Sequence, residues 1–391
     1  MSTLAINGGT PARTAPWPQW PQWGDAETKQ LQEVLASGEW GGFNEKVAEF
    51  EQVFANRHAA KHCIALTNGT TSLEASLRVL GVGRGDEVIV PPYTFIATAN
   101  APRLAGATPV FADIEPDTYN LDPAAVEAAI SPKTKAIIPV HFAGHPADMD
   151  ALVALAETHN LAIIEDAAHA HGSTWRGQPV GTLGHIGSFS LQASKNLTAG
   201  EGGILITNDD DLALGLWSFV NQGRSPEGIW YEHPNLGSNL RITGWQAGIL
   251  LAQMTRFEEQ LATRMKNARR LRAVIDEIDG LENMRWDERV ESHAHHLFMF
   301  RYNADGFNGM SRNQFVKALT GEGVPASTGY AIPLYKQPQL SAEYSRIEPC
   351  PVSEQACDEV VWLTQNMLLG DASDIDDIAQ AIVKIHEFAR Q

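Results

Sequence analysis

Leu161-Ala162-Ile163-Ile164-Glu165-Asp166, continued by Ala167-Ala168-His169-Ala170-His171-Gly172, is an apolar run of strand length that ends in acid. Apolar runs without alternation mark strands covered on both faces, the habit of parallel sheets. An acid at the end of such a strand is costly to strip of water, so Asp166 either meets a cation or caps a helix N-terminus. The same pattern repeats outward. Upstream lie His62 to Thr67, Glu87 to Pro91, Thr108 to Ala112 and Ala136 to Val140, and downstream lie Gly187 to Leu191 and Ile204 to Thr207. Helical segments are expected between them, including Thr71 to Leu80, Pro123 to Ala129 and Met149 to His159. This alternation predicts an α/β fold with a mostly parallel central sheet.

Helices are also expected over Ala26 to Ser37 and Glu45 to His58, and one long amphipathic helix from Gly244 to about Ile278 leads into a second unit. That unit has a strand candidate at His296 to Tyr302 and helices near Ser311 to Thr320 and Ser373 to Ala389. The expected division is an N-terminal arm over 1–24, a large α/β domain over 25–255 and a small C-terminal α+β domain over 256–391. The arm carries Pro16-Trp17-Pro18-Gln19-Trp20-Pro21-Gln22-Trp23, whose prolines bar a regular helix interior. Its tryptophans need cover, from the protein's own body or from a partner subunit, and the own body is the preferred reading.

The chain has 391 residues, with 29 Lys+Arg against 47 Asp+Glu, a formal charge of −18. That field repels nucleic-acid phosphates and anionic membranes, and no basic run opposes it. Three cysteines, Cys63, Cys350 and Cys357, are too few and too far apart for a disulfide framework or a zinc ribbon. No apolar run approaches the roughly 18 residues of a membrane helix, and the N-terminus has no leader pattern, so a cytoplasmic protein is expected.

Ligands of open parallel sheets bind beyond the carboxyl ends of the strands. There the first strand delivers Thr67-Asn68-Gly69-Thr70-Thr71-Ser72 into a helix, a place for a phosphate or simply a capped glycine turn. The second delivers Tyr93-Thr94-Phe95, an aromatic at the rim or in the core. His169 and His171 alternate, yet no third and fourth ligand stand at a metal-binding spacing, so no metal is expected. Lys195 follows the strand-like Gly187-Ser188-Phe189-Ser190-Leu191 in a segment poor in charge, where burial lowers an amine toward a useful nucleophile. A phosphate cradle, an aromatic, an acid for a protonated pyridine nitrogen and a lysine able to form a Schiff base are the contacts that pyridoxal 5'-phosphate requires.

The chain resembles the DegT-type family of pyridoxal-phosphate-dependent sugar and cyclitol aminotransferases. The resemblance runs from Leu4-Ala5-Ile6-Asn7-Gly8-Gly9-Thr10-Pro11 through Glu165-Asp166-Ala167-Ala168-His169-Ala170-His171-Gly172 to Val361-Trp362-Leu363. Its most specific part is Ser190-Leu191-Gln192-Ala193-Ser194-Lys195 followed by Gly200-Glu201-Gly202-Gly203. The family implies a fold type I transferase in which Lys195 forms the internal aldimine and shuttles the proton, while Asp166 pairs with the pyridine nitrogen. Phe95 is then expected to stack on the ring, and Thr70, Thr71 and Ser190 to hold the phosphate. His169 stands where the family often has Gln, beside the ring and its phenolic oxygen. In Leu236-Gly237-Ser238-Asn239-Leu240-Arg241, Asn239 is expected to reach the phosphate of a neighbouring subunit, which implies a homodimer with shared active sites. Tyr330 and Arg241 are the expected substrate residues. The donor implied is glutamate or glutamine, in a two-half reaction that aminates a keto-cyclitol or keto-sugar. The tyrosines of Gly329-Tyr330-Ala331-Ile332-Pro333-Leu334-Tyr335, the arm and His169 resemble the branch that holds scyllo-inosose aminotransferases and 3-amino-5-hydroxybenzoate synthase. A nucleotide-activated keto-sugar and an aromatising lyase reaction stand as the alternatives. A non-enzymatic scaffold would have no reason to keep lysine, acid and cradle together.

Overall fold

The computed structural model describes residues 3–391. Strands β1 (His62–Leu66), β2 (Glu87–Val90), β3 (Thr108–Phe111), β4 (Thr134–Ile137) and β5 (Ala162–Asp166) match the expected apolar runs to within a few residues. A short hairpin, β6 (Thr174–Trp175) with β7 (Gln178–Pro179), separates them from β8 (Ile186–Ser190) and β9 (Gly203–Thr207). Four further strands, β10 (Leu281–Asn283), β11 (Leu297–Tyr302), β12 (Arg346–Ile347) and β13 (Val360–Thr364), complete the set.

The large sheet has the order β1-β9-β8-β5-β4-β2-β3-β12. Only β9 runs against its neighbours, β1 and β8, and every other pairing is parallel. The carboxyl ends of β1, β5 and β8 and the start of β9 therefore meet at one edge. Strands β2, β8 and β9 are buried along their whole length, as apolar runs covered on both faces require. A second sheet, β10-β11-β13, is antiparallel and packs with helices Phe257–Ile275, Arg312–Gly321 and Ala372–Ala389 around a core that includes Phe300, Phe315 and Ile382.

One difference from the sequence reading, and one expectation that the structure bears out, matter for the site. The expected long helix is two, Gly244–Met254 and Phe257–Ile275, broken at Arg256 with φ −115° and ψ 3°. The acidic pair Glu258–Glu259 opens the second helix, where negative charge favours an N-terminus. Arg256 turns out of the break to donate to Gln22 O at 2.6 Å and to pair with Glu27. The arm, moreover, lies along the C-terminal third of the same chain. Glu322 accepts from the Ala5 and Ala12 N–H groups, Arg13 pairs with Asp374 at 2.6 Å and Asp377 at 2.7 Å, and Trp17 Nε1 donates to Gly323 O. Trp20 faces the guanidinium of Arg264, and Trp23 stays exposed.

Candidate active site

A cavity of about 1580 Å³ opens at the sheet edge where β1, β5 and β8 end, closed from the far side by Tyr330, Trp362 and Gln365 and along one wall by Trp17 to Pro21. Helix Gly69–Val79 starts directly at the end of β1, so its first turn faces this space. Asn68 caps it by accepting from the Thr71 N–H at 2.9 Å, which leaves first-turn N–H groups without intrahelical partners. Backbone is brought very close here. A Cβ at Gly69 would fall 2.8 Å from Ser190 Cβ, and one at Gly203 would fall 2.5 Å from the Asn68 carbonyl carbon. Glycine at both positions lets β1, β8 and β9 converge, and Thr70, Thr71 and Ser190 line the resulting cradle.

Asp166 ends β5 with its carboxylate buried in the cavity floor. Thr98 Oγ1 donates to its Oδ2 at 2.8 Å and the Ala168 N–H to its Oδ1 at 3.2 Å. Burial raises its pKa above the usual carboxylate range, against the pull of those donors and of Lys195. The adjacent Glu165 points to the opposite face, as strand alternation demands. It accepts from the N–H groups of Gly181, Leu183 and Gly184 and from His141 Nε2, fastening the loop behind the strand.

Lys195 lines the same cavity, and burial pushes its ammonium down to about 8, opposed by the charge of Asp166. His169 lies beside it with Nδ1 accepting from the Ala143 N–H at 3.3 Å, so Nε2 carries the proton of the neutral ring. Its ring packs on His296 at 4.3 Å between centroids, and burial holds both well below the usual histidine pKa. Phe95 stands at the rim, 57% exposed.

The structure thus gathers Thr70, Thr71, Phe95, Asp166, His169, Ser190, Lys195 and Tyr330 around one space. It does not bring Asn239 or Arg241 there. Asn239 is exposed, on a segment that bridges to Asn221, and the Arg241 guanidinium packs over the Phe43 ring. Sequence reasoning passed over Thr98, His296, Gln365 and the arm residues Trp17 and Trp20. Only the unusual density of tryptophan in the arm signalled any of these. No three His, Cys, Asp or Glu side chains converge as a metal site among the described residues.

Fold and cavity together define an enzyme of the aminotransferase fold, with lysine, acid and a helix N-terminus gathered at the carboxyl edge of a mostly parallel sheet. The chain belongs to the DegT/DnrJ/EryC1/StrS aminotransferase family, whose pattern it matches over residues 21–383. It is 38% identical to the L-glutamine:2-deoxy-scyllo-inosose aminotransferase of Streptoalloteichus tenebrarius, over 98% of this chain and 97% of that protein. It is also 38% identical to the 3-amino-5-hydroxybenzoate synthase of Amycolatopsis mediterranei, over 95% and 98%. The crystal structure of a 3-amino-5-hydroxybenzoic acid synthase superposes with a TM-score of 0.90 at 36% identity, covering 97% of this chain and all of the other. Aminotransferases of this family depend on pyridoxal phosphate, and this chain is an aminotransferase.

Proposed function

We propose that this protein moves an amino group from L-glutamine or L-glutamate to the ketone of a cyclitol or free sugar, in two half-reactions that use pyridoxal 5'-phosphate. The observation that carries the reading is the convergence of Lys195, Asp166 and the first turn of helix Gly69–Val79 on one cavity. The residues present fit the cofactor. Asp166 is a buried carboxylate with no cation in hydrogen-bond contact among the described residues, and the Gly69 turn is an anion cradle that a side chain would fill. Thr70, Thr71 and Ser190 would hold the phosphate, Asp166 the ring nitrogen, Phe95 one ring face and His169 the phenolic side.

When bound, the cofactor supplies an electron sink beside the carbon that loses its proton. Lys195 moves that proton. With its pKa near 8 the amine is substantially neutral in mildly alkaline water and accepts the proton, then returns it as an acid. His169, held neutral, donates from Nε2 without adding charge.

The wall favours a neutral acceptor. Lys195 is the only lysine or arginine among the described residues that line the cavity, whereas Tyr330, Trp362, Gln365 and Asn366 offer rings and amides to a polyol. A diphosphate-linked sugar would find no arginine clamp. The names of relatives, an L-glutamine:inosose aminotransferase among them, support the same acceptor class. Segment 225–237 leaves Ile229, Trp230, Tyr231 and Leu236 exposed just ahead of Asn239, a patch that a second copy would cover. In such a homodimer Asn239 would help to hold the neighbour's cofactor phosphate, and a substrate role for Arg241 would also require the second copy.

The test is the visible absorption of the protein loaded with pyridoxal phosphate, before and after L-glutamine or L-glutamate, followed by a keto-cyclitol and mass analysis of the product. A donor-dependent spectral change, its absence in Lys195→Ala and an amine product with all ring hydroxyls retained are expected. A band indifferent to both amino donors would sink the reading. The likeness to 3-amino-5-hydroxybenzoate synthase favours one second reading, an aromatising lyase, and an aromatic product would establish it instead.

A further inference from the structure

Behind the far wall of the cavity lies a positive charge without a counter-charge among the described residues. Arg264, in helix Phe257–Ile275, is 0% exposed. Its Nε and Nη2 both donate to Gln365 Oε1, at 2.9 and 2.6 Å, and its Nη1 has no partner among the described residues. No carboxylate pairs with it among the described residues, and burial alone lowers its pKa to about 9. Buried guanidinium groups ordinarily carry an acid. The nearby titratable side chains, His171, His295 and His296, are themselves held neutral by burial, so none of them offers negative charge. The Trp20 ring lies 5.2 Å from the guanidinium, so Arg264 itself does not line the cavity.

Gln365 does line it. Its carbonyl oxygen is taken up by two N–H groups of a cation, which fixes the amide orientation and strengthens the remaining donors. The NH₂ group of Gln365 makes no hydrogen bond to the described chain. The acids that line the cavity are Asp166, committed to Thr98 and Ala168, and Glu201, and neither bonds to this pair. One uncompensated buried cation, presented through one pair of N–H donors, matches one carboxylate.

We propose that Gln365 binds the α-carboxylate of the amino donor, and that Arg264 is the positioning residue that pins and polarises the Gln365 amide. This rests on the aminotransferase reading above, because the amino donor is the amino acid that brings a carboxylate into a cavity otherwise shaped for a neutral ring. The donor's amine is thereby directed toward Lys195 from the opposite wall, and the covering Trp20 keeps water from the guanidinium.

The test separates binding from chemistry. The pyridoxal-phosphate-loaded protein is titrated calorimetrically with glutaramate, which is glutamine without its α-amino group, and with neutral pentanediamide. Wild type is expected to prefer glutaramate by at least tenfold. Gln365→Leu is expected to lose that preference, with pentanediamide binding unchanged and the pyridoxal phosphate absorption band retained. With L-glutamine as donor, the same variant is expected to raise KM at least tenfold and to change kcat less than threefold. Arg264→Lys, which keeps the charge, is expected to retain more of the preference than Arg264→Met, and Gln365→Leu supplies the answer if the Arg264 variants fail to fold. A wild type without preference, an unchanged Gln365→Leu or an equal loss of both ligands would overturn the proposal. A preference lost in Gln365→Leu, in a protein that transfers no amino group, would uphold the carboxylate subsite and count against the proposed function.

Discussion

Lys195 and Asp166 act on each other in opposite directions from their burial. Taking the ammonium out of water lowers its pKa from 10.5 to about 8, and the carboxylate raises it again in part. The sign of a substitution follows. Asp166→Asn removes the group that favours the ammonium, so the midpoint for deprotonation falls below that of wild type. The rate at which the apoprotein captures pyridoxal phosphate, followed by visible absorbance, is expected to rise with pH around a midpoint near 8 and around a lower one in Asp166→Asn. A wild-type midpoint near 10.5 would show a solvated lysine and defeat the argument. Both residues were legible in the sequence for one physical reason: an acid closing an apolar strand and a lysine following one are anomalies of solvation. Thr98 and Gln365 were not legible. A neutral side chain whose value is its hydrogen bonding to a distant partner breaks no local pattern, and Gln365 meets Arg264 across 101 residues of chain.

At the scale of elements, the start of helix Gly69–Val79 is the proposed anion cradle, and its geometry depends on the missing side chain of Gly69. Gly69→Ala places a methyl 2.8 Å from Ser190 Cβ and drives the helix start away from β8. Pyridoxal phosphate affinity, measured by fluorescence titration, is expected to fall at least tenfold while the circular dichroism of the fold is retained. Unchanged affinity would mean that the phosphate sits elsewhere. The arm is a second element with consequence. Its prolines announced an extended segment, but no periodicity tells where such a segment lies, and its partners Glu322 and Gly323 are more than 300 residues away. Arg13 holds it, buried between Asp374, Asp377 and the Trp17 ring. Arg13→Ala leaves two half-buried carboxylates without their cation, a loss of about 2–4 kcal/mol in urea unfolding. Because Trp17 and Trp20 form part of the cavity wall, the acceptor KM is expected to rise in the same variant. The helix break at Arg256 was hidden because Phe257 and Leu261 continue the apolar stripe of Leu250 and Leu251 into one core. The acidic start at Glu258–Glu259 was the available sign of it.

Across the whole molecule, the strand order was the part of the fold that the sequence could least supply. Apolar runs say that a strand is covered, not which strand covers its edge, and the two-residue β12 reaches β3 from the other end of the chain. The same long-range folding buries histidines that composition alone would place on the surface. His58, His145, His169, His171, His293, His295 and His296 are all buried, with pKa values lowered by loss of water, to about 4 for His145 and about 3 for His58 and His171. His293 and His295 stack at 3.7 Å, which opposes charging either. The linkage sign is that of a group depressed on folding. The unfolded chain takes up a proton near pH 6.5 and the native one does not, so stability is complete above 6.5 and falls as pH drops toward the native pKa values. A histidine that stays neutral in the native fold costs about 1.4 kcal/mol of stability by pH 5.5 relative to neutral pH, and several together weaken the fold further. The net charge of −18 works in the opposite sense, since added protons relieve its self-repulsion. The two effects therefore predict opposite outcomes for one experiment. The urea midpoint of the protein is expected to be less than half as high at pH 5.5 as at pH 7.5, and in a His293→Gln variant the drop is expected to be smaller. A midpoint that holds or rises on acidification would show that charge relief governs and that these rings are protonated within the native fold.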